Sequence, residues 1–263
     1  MSQRRAPNYQ EHAVIDLNRY STLRVIENWL LSTADNRPVM LLIAGPPGVG
    51  KMAFLDRMQN QQVPHIFGWP KVSEELTGKT LNLPLDEGCL REVNGYILGD
   101  LIKRRQHFVM LSGLASRSQF DLDVAIIQRA KNEYDYRIAV CALAIDDDTT
   151  LWKRYLKPDR YGSQVSNFSD MQQVNQYYRR HLKSVIGLVD HCILINNSTL
   201  FDSPKSHAPM AISRRGIIKT ARDAPLWVHS YLPDSYLVQD PLGSSSSQSS
   251  AAVGDLSTRP LAS

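Results

Sequence analysis

Residues 39–52 read VMLLIAGPPGVGKM. The apolar run at 39–44 predicts a central parallel strand buried on both faces. Gly45, Pro46, Pro47, Gly48, Val49, Gly50 and Lys51 then fit the pattern G-x-x-x-x-G-K. Glycines at these places let the backbone turn until successive N–H groups point at phosphate oxygens. The helix expected after the loop adds the positive end of its dipole. Lys51 would put a cation on the β- and γ-phosphates of ATP or GTP. A glycine-rich turn with a solvated lysine would show the same letters, but the strand before and the helix after favour a phosphate loop. Met52 stands where a Ser or Thr hydroxyl usually ligates Mg²⁺. A thioether is too soft to replace it. Mg²⁺ can still be held by nucleotide phosphates, waters and a distant carboxylate. Met52 therefore counts against fast catalysis more than against binding.

Outward from the loop, apolar spacing predicts an amphipathic helix over 15–31, a break at 35–38 and a helix at 53–59. Residues 62–88 predict a short strand at 63–69 and then an irregular, substrate-facing segment. Further helices are predicted over 89–105, 120–134, 149–155 and 171–185. Strands are predicted over 106–111, 136–145 and, last, 189–195. Strands alternating with helices imply an α/β fold, a mainly parallel sheet with helices on both faces, of the P-loop NTPase or kinase kind. The organisation expected is a flexible start at 1–14, one domain over 15–240 and a disordered tail at 241–263. The tail is Ser-rich and cannot offset its own ordering entropy.

The 263 residues suffice for a full core without disulfides. A net charge of +4 with scattered basic residues gives no stripe for nucleic acid. Cys89, Cys141 and Cys192 lack metal or CxxC spacing and read as small buried hydrophobes in a reducing compartment. The seven His show no metal spacing either. Trp69 and Trp227 read as core. The first residues carry no apolar stretch of a signal peptide and no run is long enough to span a membrane, so a cytoplasm, its own or a host's, is expected. An apolar strand ending in Asp146, Asp147 and Asp148 fits a Walker-B pattern, but helix capping and solvation explain these acids better.

With the loop in place, residues 39–216 resemble the zeta-toxin family of P-loop kinases. Residues 136–145, YRIAVCALAI, resemble the family's strand after a GYrV turn. Residues 149–154, TTLWKR, and then Arg160 resemble its lid helix, where arginines sit on the transferring phosphate. Residues 194–198, LINNS, with PMAI at 209–212 and Gly216, resemble a late segment. The resemblance implies γ-phosphate transfer to a small, nucleotide-sugar-like acceptor, with Lys51, Arg154 and Arg160 catalytic. It also implies a toxin role and makes an antitoxin or chaperone partner plausible.

The chain departs from that family at three places. Met52 replaces the hydroxyl. Residues 65–71, HIFGWPK, lack the family's base, and Glu74, Glu75 and Asp86 are not in its place. Ser112, Gly113 and Leu114 replace an acid followed by Thr. Two readings follow: a kinase, or a catalytically impaired pseudokinase that acts as an interaction or regulatory protein. A nucleotide-driven switch is less favoured, because no convincing Walker B or guanine motif is present. Arg179 and Arg180 read as a solvated helix face.

Overall fold

The computed structural model describes residues 22, 26–27, 29, 36–60, 66, 68–73, 76, 87–156, 165–198, 208–215, 217–221 and 224–234. Strand β1 (Val39–Ala44) is buried at every residue, as its unbroken apolar run requires. Helix α1 (Lys51–Asn60) starts directly at the loop lysine. Then come β2 (Lys71–Val72), α2 (Glu87–Lys103), β3 (Phe108–Ser112), α3 (Arg117–Tyr134) and β4 (Arg137–Ala144). The chain continues through α4 (Asp148–Tyr155), α5 (Phe168–Leu188), β5 (His191–Asn196), β6 (Ala208–Arg214) and β7 (Ile217–Thr220) to a 3₁₀ turn at Leu226–Tyr231.

The seven strands form one sheet in the order β2-β3-β1-β4-β5-β6-β7. β1 pairs in parallel with β3 and β4, and β5 in parallel with β4. β6 and β7 add on as an antiparallel pair. The fold class is therefore α/β with a mainly parallel sheet, as the alternating pattern predicted. Alternate strand residues feed two cores. Met40, Leu42, Val140 and Ala142 pack with α2, α3 and α5 on one face. Leu41, Ile43, Cys141 and Ile193 pack with Phe54, Leu55 and Leu151 from α1 and α4 on the other.

Four expectations need correction. Among the described residues of the strand expected at 63–69 none is extended: Ile66 is helical, Gly68 and Trp69 lie in a turn, and β2 begins only after Pro70, whose carbonyl accepts from Val109 N at 2.8 Å. Proline has no N–H for the ladder, so it marks where pairing starts. β5 is not the last strand, because β6 and β7 extend the sheet beyond it. Cys89 is exposed on α2, while Cys141 and Cys192 are buried as expected. Burial pushes the Cys192 thiol up to about 12 and Cys141 well above its ordinary range. Arg179 is not solvated, as described below. Of the expected helix over 15–31, Thr22, Ile26, Glu27 and Trp29 are helical and the remainder lies outside the described residues. The terminal segments 1–14 and 241–263 lie outside them too. No described helix is long and apolar enough to cross a membrane.

Trp69 stacks on His107 at 4.9 Å, and Trp227 meets Tyr231 edge-on at 5.8 Å. Both are half-buried packing residues.

Candidate functional site: a phosphate loop at the switch point of the sheet

The connection leaving β1 leads toward β2, and the one leaving β3 crosses to β4 on the other side of β1. The carboxyl end of β1 is therefore the switch point of the sheet, the place where α/β sheets bind ligands. Gly45 to Gly50 occupy it. Gly48 and Gly50 have φ of 87° and 97°, a region that L side chains rarely adopt. A Cβ on Gly48 would also lie 2.9 Å from Leu151 O of α4, so only glycine fits against that helix.

The loop is tied down from several strands. Gly45 N donates to Ser112 O at 3.1 Å, and Val49 N to Pro46 O at 3.2 Å. The Asn197 side chain donates to Val49 O, and Asn197 N to Ala144 O at 2.8 Å. Tyr178 of α5 donates to Ala44 O at 3.3 Å. The cradle is thus held by the ends of β3, β4 and β5 and by α5.

Lys51 Nζ donates to Gly45 O at 2.6 Å and Pro46 O at 3.3 Å. It curls over the loop whose amides it would share with a phosphate. Met52 is half-buried and packs on the core around α1. Arg154 donates to Asn197 O at 2.6 Å and to Ser198 O at 3.0 Å. Its guanidinium here rests on the end of β5, one residue-to-residue link from the loop through Asn197. Arg160, Glu74, Glu75 and Asp86 lie outside the described residues.

Two of the acids after β4, Asp147 and Asp148, serve structure, while Asp146 is exposed. Asp147 caps α4, accepting from Thr149 N at 2.9 Å, Thr150 N at 3.0 Å and Thr150 Oγ1 at 2.7 Å. Those bonds, the Thr150 hydroxyl first, hold its carboxyl below the ordinary value. Asp148 accepts from Asn175 Nδ2 at 2.6 Å and lies 3.8 Å from Arg179. Arg179 also sits 5.0 Å over the ring of Tyr231. Its side chain is only 28% exposed, which overturns the solvated reading; Arg180 is exposed as expected. The helix face changes character within one residue because Arg179 points at the 3₁₀ turn.

Sequence reading missed Asp123. It lies on α3, 2% exposed, and accepts from Ser112 Oγ, which in turn accepts from Leu114 N at 3.1 Å. A carboxylate thus reaches the end of β3, next to the first residue of the loop. The signal was present: Asp123 precedes Ile127 and Ala130 on one buried stripe, a place for an apolar residue. Asn197 was also missed as a loop anchor.

Mg²⁺ fits poorly by the usual route. The loop hydroxyl is a thioether, and Asp147 and Asp148 are engaged by the fold. Among the described residues no group of three or more His, Cys, Asp or Glu could hold a metal ion.

Solved structures share this architecture. AvrRxo1-ORF1:-ORF2 with ATP superposes at a TM-score of 0.54 and 13% identity, over 85% of this chain and 72% of that one. The same complex with sulphate ions gives 0.52 and 14%, over 82% and 70%. The likeness is one of fold: a mainly parallel α/β sheet with helices on both faces. The PezAT toxin–antitoxin system of Streptococcus pneumoniae matches at 0.43 and 12%, over 69% and 80%, too loosely to add to this. No protein-family model matches the chain, and no curated protein does.

Proposed function

We propose that the chain is a zeta-toxin-like phosphotransferase that binds ATP or GTP on residues 45–52 and moves the γ-phosphate to a small, nucleotide-sugar-like acceptor. The observation that carries this reading is the loop itself: two positive-φ glycines and a lysine at the switch point of a P-loop kinase sheet. In the reaction an acceptor hydroxyl oxygen attacks the γ-phosphorus, the bond to the β–γ bridging oxygen breaks, and the nucleoside diphosphate leaves. The hydroxyl proton passes to a base. Loop amides and Lys51 would stabilise the charge that develops, and catalysis would come mainly from positioning and electrostatics. Lys51 must first leave Gly45 O and Pro46 O, which a phosphate would draw it from by charge. Arg154 and Arg160 are the arginines we assign to the γ-phosphate; Arg154 would exchange the Asn197 and Ser198 carbonyls for it. Asp123 with Ser112 supplies a carboxylate–hydroxyl pair at the end of β3, where the family has an acid and a Thr. A solved relative of the same fold holds ATP, and it is a two-protein complex, which supports a protein partner such as an antitoxin or chaperone for this chain too.

A second reading is favoured by Met52, whose side chain packs on the core and offers phosphate-bound Mg²⁺ nothing hard to bind. On that reading the protein binds nucleotide without turnover and acts through a partner.

Calorimetric titration with ATP and GTP, with and without Mg²⁺, tests both. Lys51→Ala should abolish binding; unchanged affinity in that variant removes the phosphate loop from consideration. Met52→Thr should strengthen Mg²⁺-dependent binding and raise any turnover of the kinase. Tighter binding with no turnover in that variant would instead support the pseudokinase.

A further inference from the structure

Helix α2 buries Leu98, Leu101 and Ile102 against the sheet, on the face opposite α1 and the phosphate loop. Its outer face is unusual. Tyr96 is 80% exposed, and a Cβ on Gly95 or Gly99 would meet nothing within 4 Å. A groove of about 780 Å³ runs along this face, lined by Glu92, Gly95, Tyr96, Gly99 and Lys103 with Asp100 and Arg129 beside them. Glu92, Tyr96, Gly99 and Lys103 are spaced four, three and four residues apart, the alternation of a helix-pairing seam.

We propose that this seam pairs with the same seam of a second copy of the chain, antiparallel, about a two-fold axis between Ile97 and Leu98. A two-fold contact is isologous: each residue meets the one equally far on the other side of the axis. Residue 92 then faces 103, and 96 faces 99. The opposed residues complement each other. Each Tyr96 ring lies over the bare backbone of a Gly99, and each Glu92 carboxylate meets a Lys103 ammonium. A parallel pairing would instead set Glu92 on Glu92 and Lys103 on Lys103. The charges next to the seam are already used: Asp100 pairs with Arg104, and Arg129 with Glu133. Among the described residues Glu92 and Lys103 have no such partner in their own chain, so they are left for the second copy.

The contact is modest. An aromatic side chain buries roughly 200 Å², and a stable interface needs about 1,200 Å² or more in total. The dimer is therefore a weak one that assembles with rising concentration. It lies on the face of the sheet opposite α1 and leaves the loop at 45–51 uncovered.

Sedimentation velocity of the full chain over a concentration series tests the pairing. The wild type should pass from monomer to dimer. Gly99→Leu closes the space for Tyr96 and should hold the chain monomeric; a leucine favours the helix more than glycine does, so this loss would not be unfolding. Glu92→Lys or Lys103→Glu alone places like charges across both ends of the seam. Each should weaken the dimer by about tenfold or more. The double reversal should restore it. A wild type that stays monomeric throughout overturns the proposal. So does a dimer indifferent to Gly99→Leu, or single reversals that the double variant does not rescue, since those would place the contact elsewhere or in another orientation.

Discussion

Gly48 shows how much one residue of the loop carries. Its φ of 87° costs any L residue strain, and an added Cβ would stand 2.9 Å from a backbone oxygen of α4 that cannot yield. Gly48→Ala should lower unfolding free energy by roughly 2–4 kcal/mol, read as a shift of the urea midpoint at unchanged slope. A change under half a kcal/mol would mean that α4 moves aside and the cradle is softer than it looks. The glycine-rich turn between β1 and α1 was legible from its letters alone, because that pattern is local. The Ser112–Asp123 pair was not: the sequence shows Asp123 only as a polar residue on an apolar stripe, and its partner lies eleven positions away in a different element.

At the scale of the element, β5 holds a titrating group where the fold suppresses its charge. His191 is 7% exposed, stacks on Trp29 at 5.1 Å, and its Nδ1 is buried without a hydrogen-bond partner. Burial first, then the charges of Arg137 and Arg214, drive its pKa from 6.5 to about 4; Asp190 pulls the other way, and Arg215 adds the least. A depressed histidine is neutral in the fold, while the unfolded chain takes up a proton below 6.5. Stability from this group is complete above pH 6.5 and drains away as the pH falls toward about 4. His191→Phe keeps a ring on Trp29 and removes the titration. The difference in urea midpoint between wild type and variant should widen over that window and level off below it. A difference that stays constant with pH would place the charge elsewhere. The existence of β5 was plain from its apolar run, and so was that of α5. The role of α5 was not: Arg179 read as part of a solvated face until Asp148 and Tyr231 are seen against it.

For the whole molecule, the two cores share one sheet. Every central strand sends alternate residues to both faces, so neither core can open without stripping the strands from the other. The domain should therefore unfold in a single transition, with far-UV circular dichroism and tryptophan fluorescence giving the same midpoint. Two midpoints would mean that β6 and β7, which are held from one side of the sheet, melt on their own. The same arrangement holds the glycine-rich loop, whose ties come from β3, β4, β5 and α5 together.

By itself the sequence determined the glycine-rich turn after β1, the order of most strands and helices and the mainly parallel α/β class. Those rest on short-range causes: hydrophobic period, glycine backbone freedom and the N-terminal end of a helix. The tertiary structure alone decided which distant groups meet. It drew Arg179 onto Tyr231. It placed Arg154 on the end of β5 and delivered Asp123 to the end of β3. It also added β6 and β7 and left Tyr96 in solvent. The reason is physical. A charged side chain's partner is chosen by the crossing of elements far apart in the chain, and no window of neighbouring residues encodes that crossing.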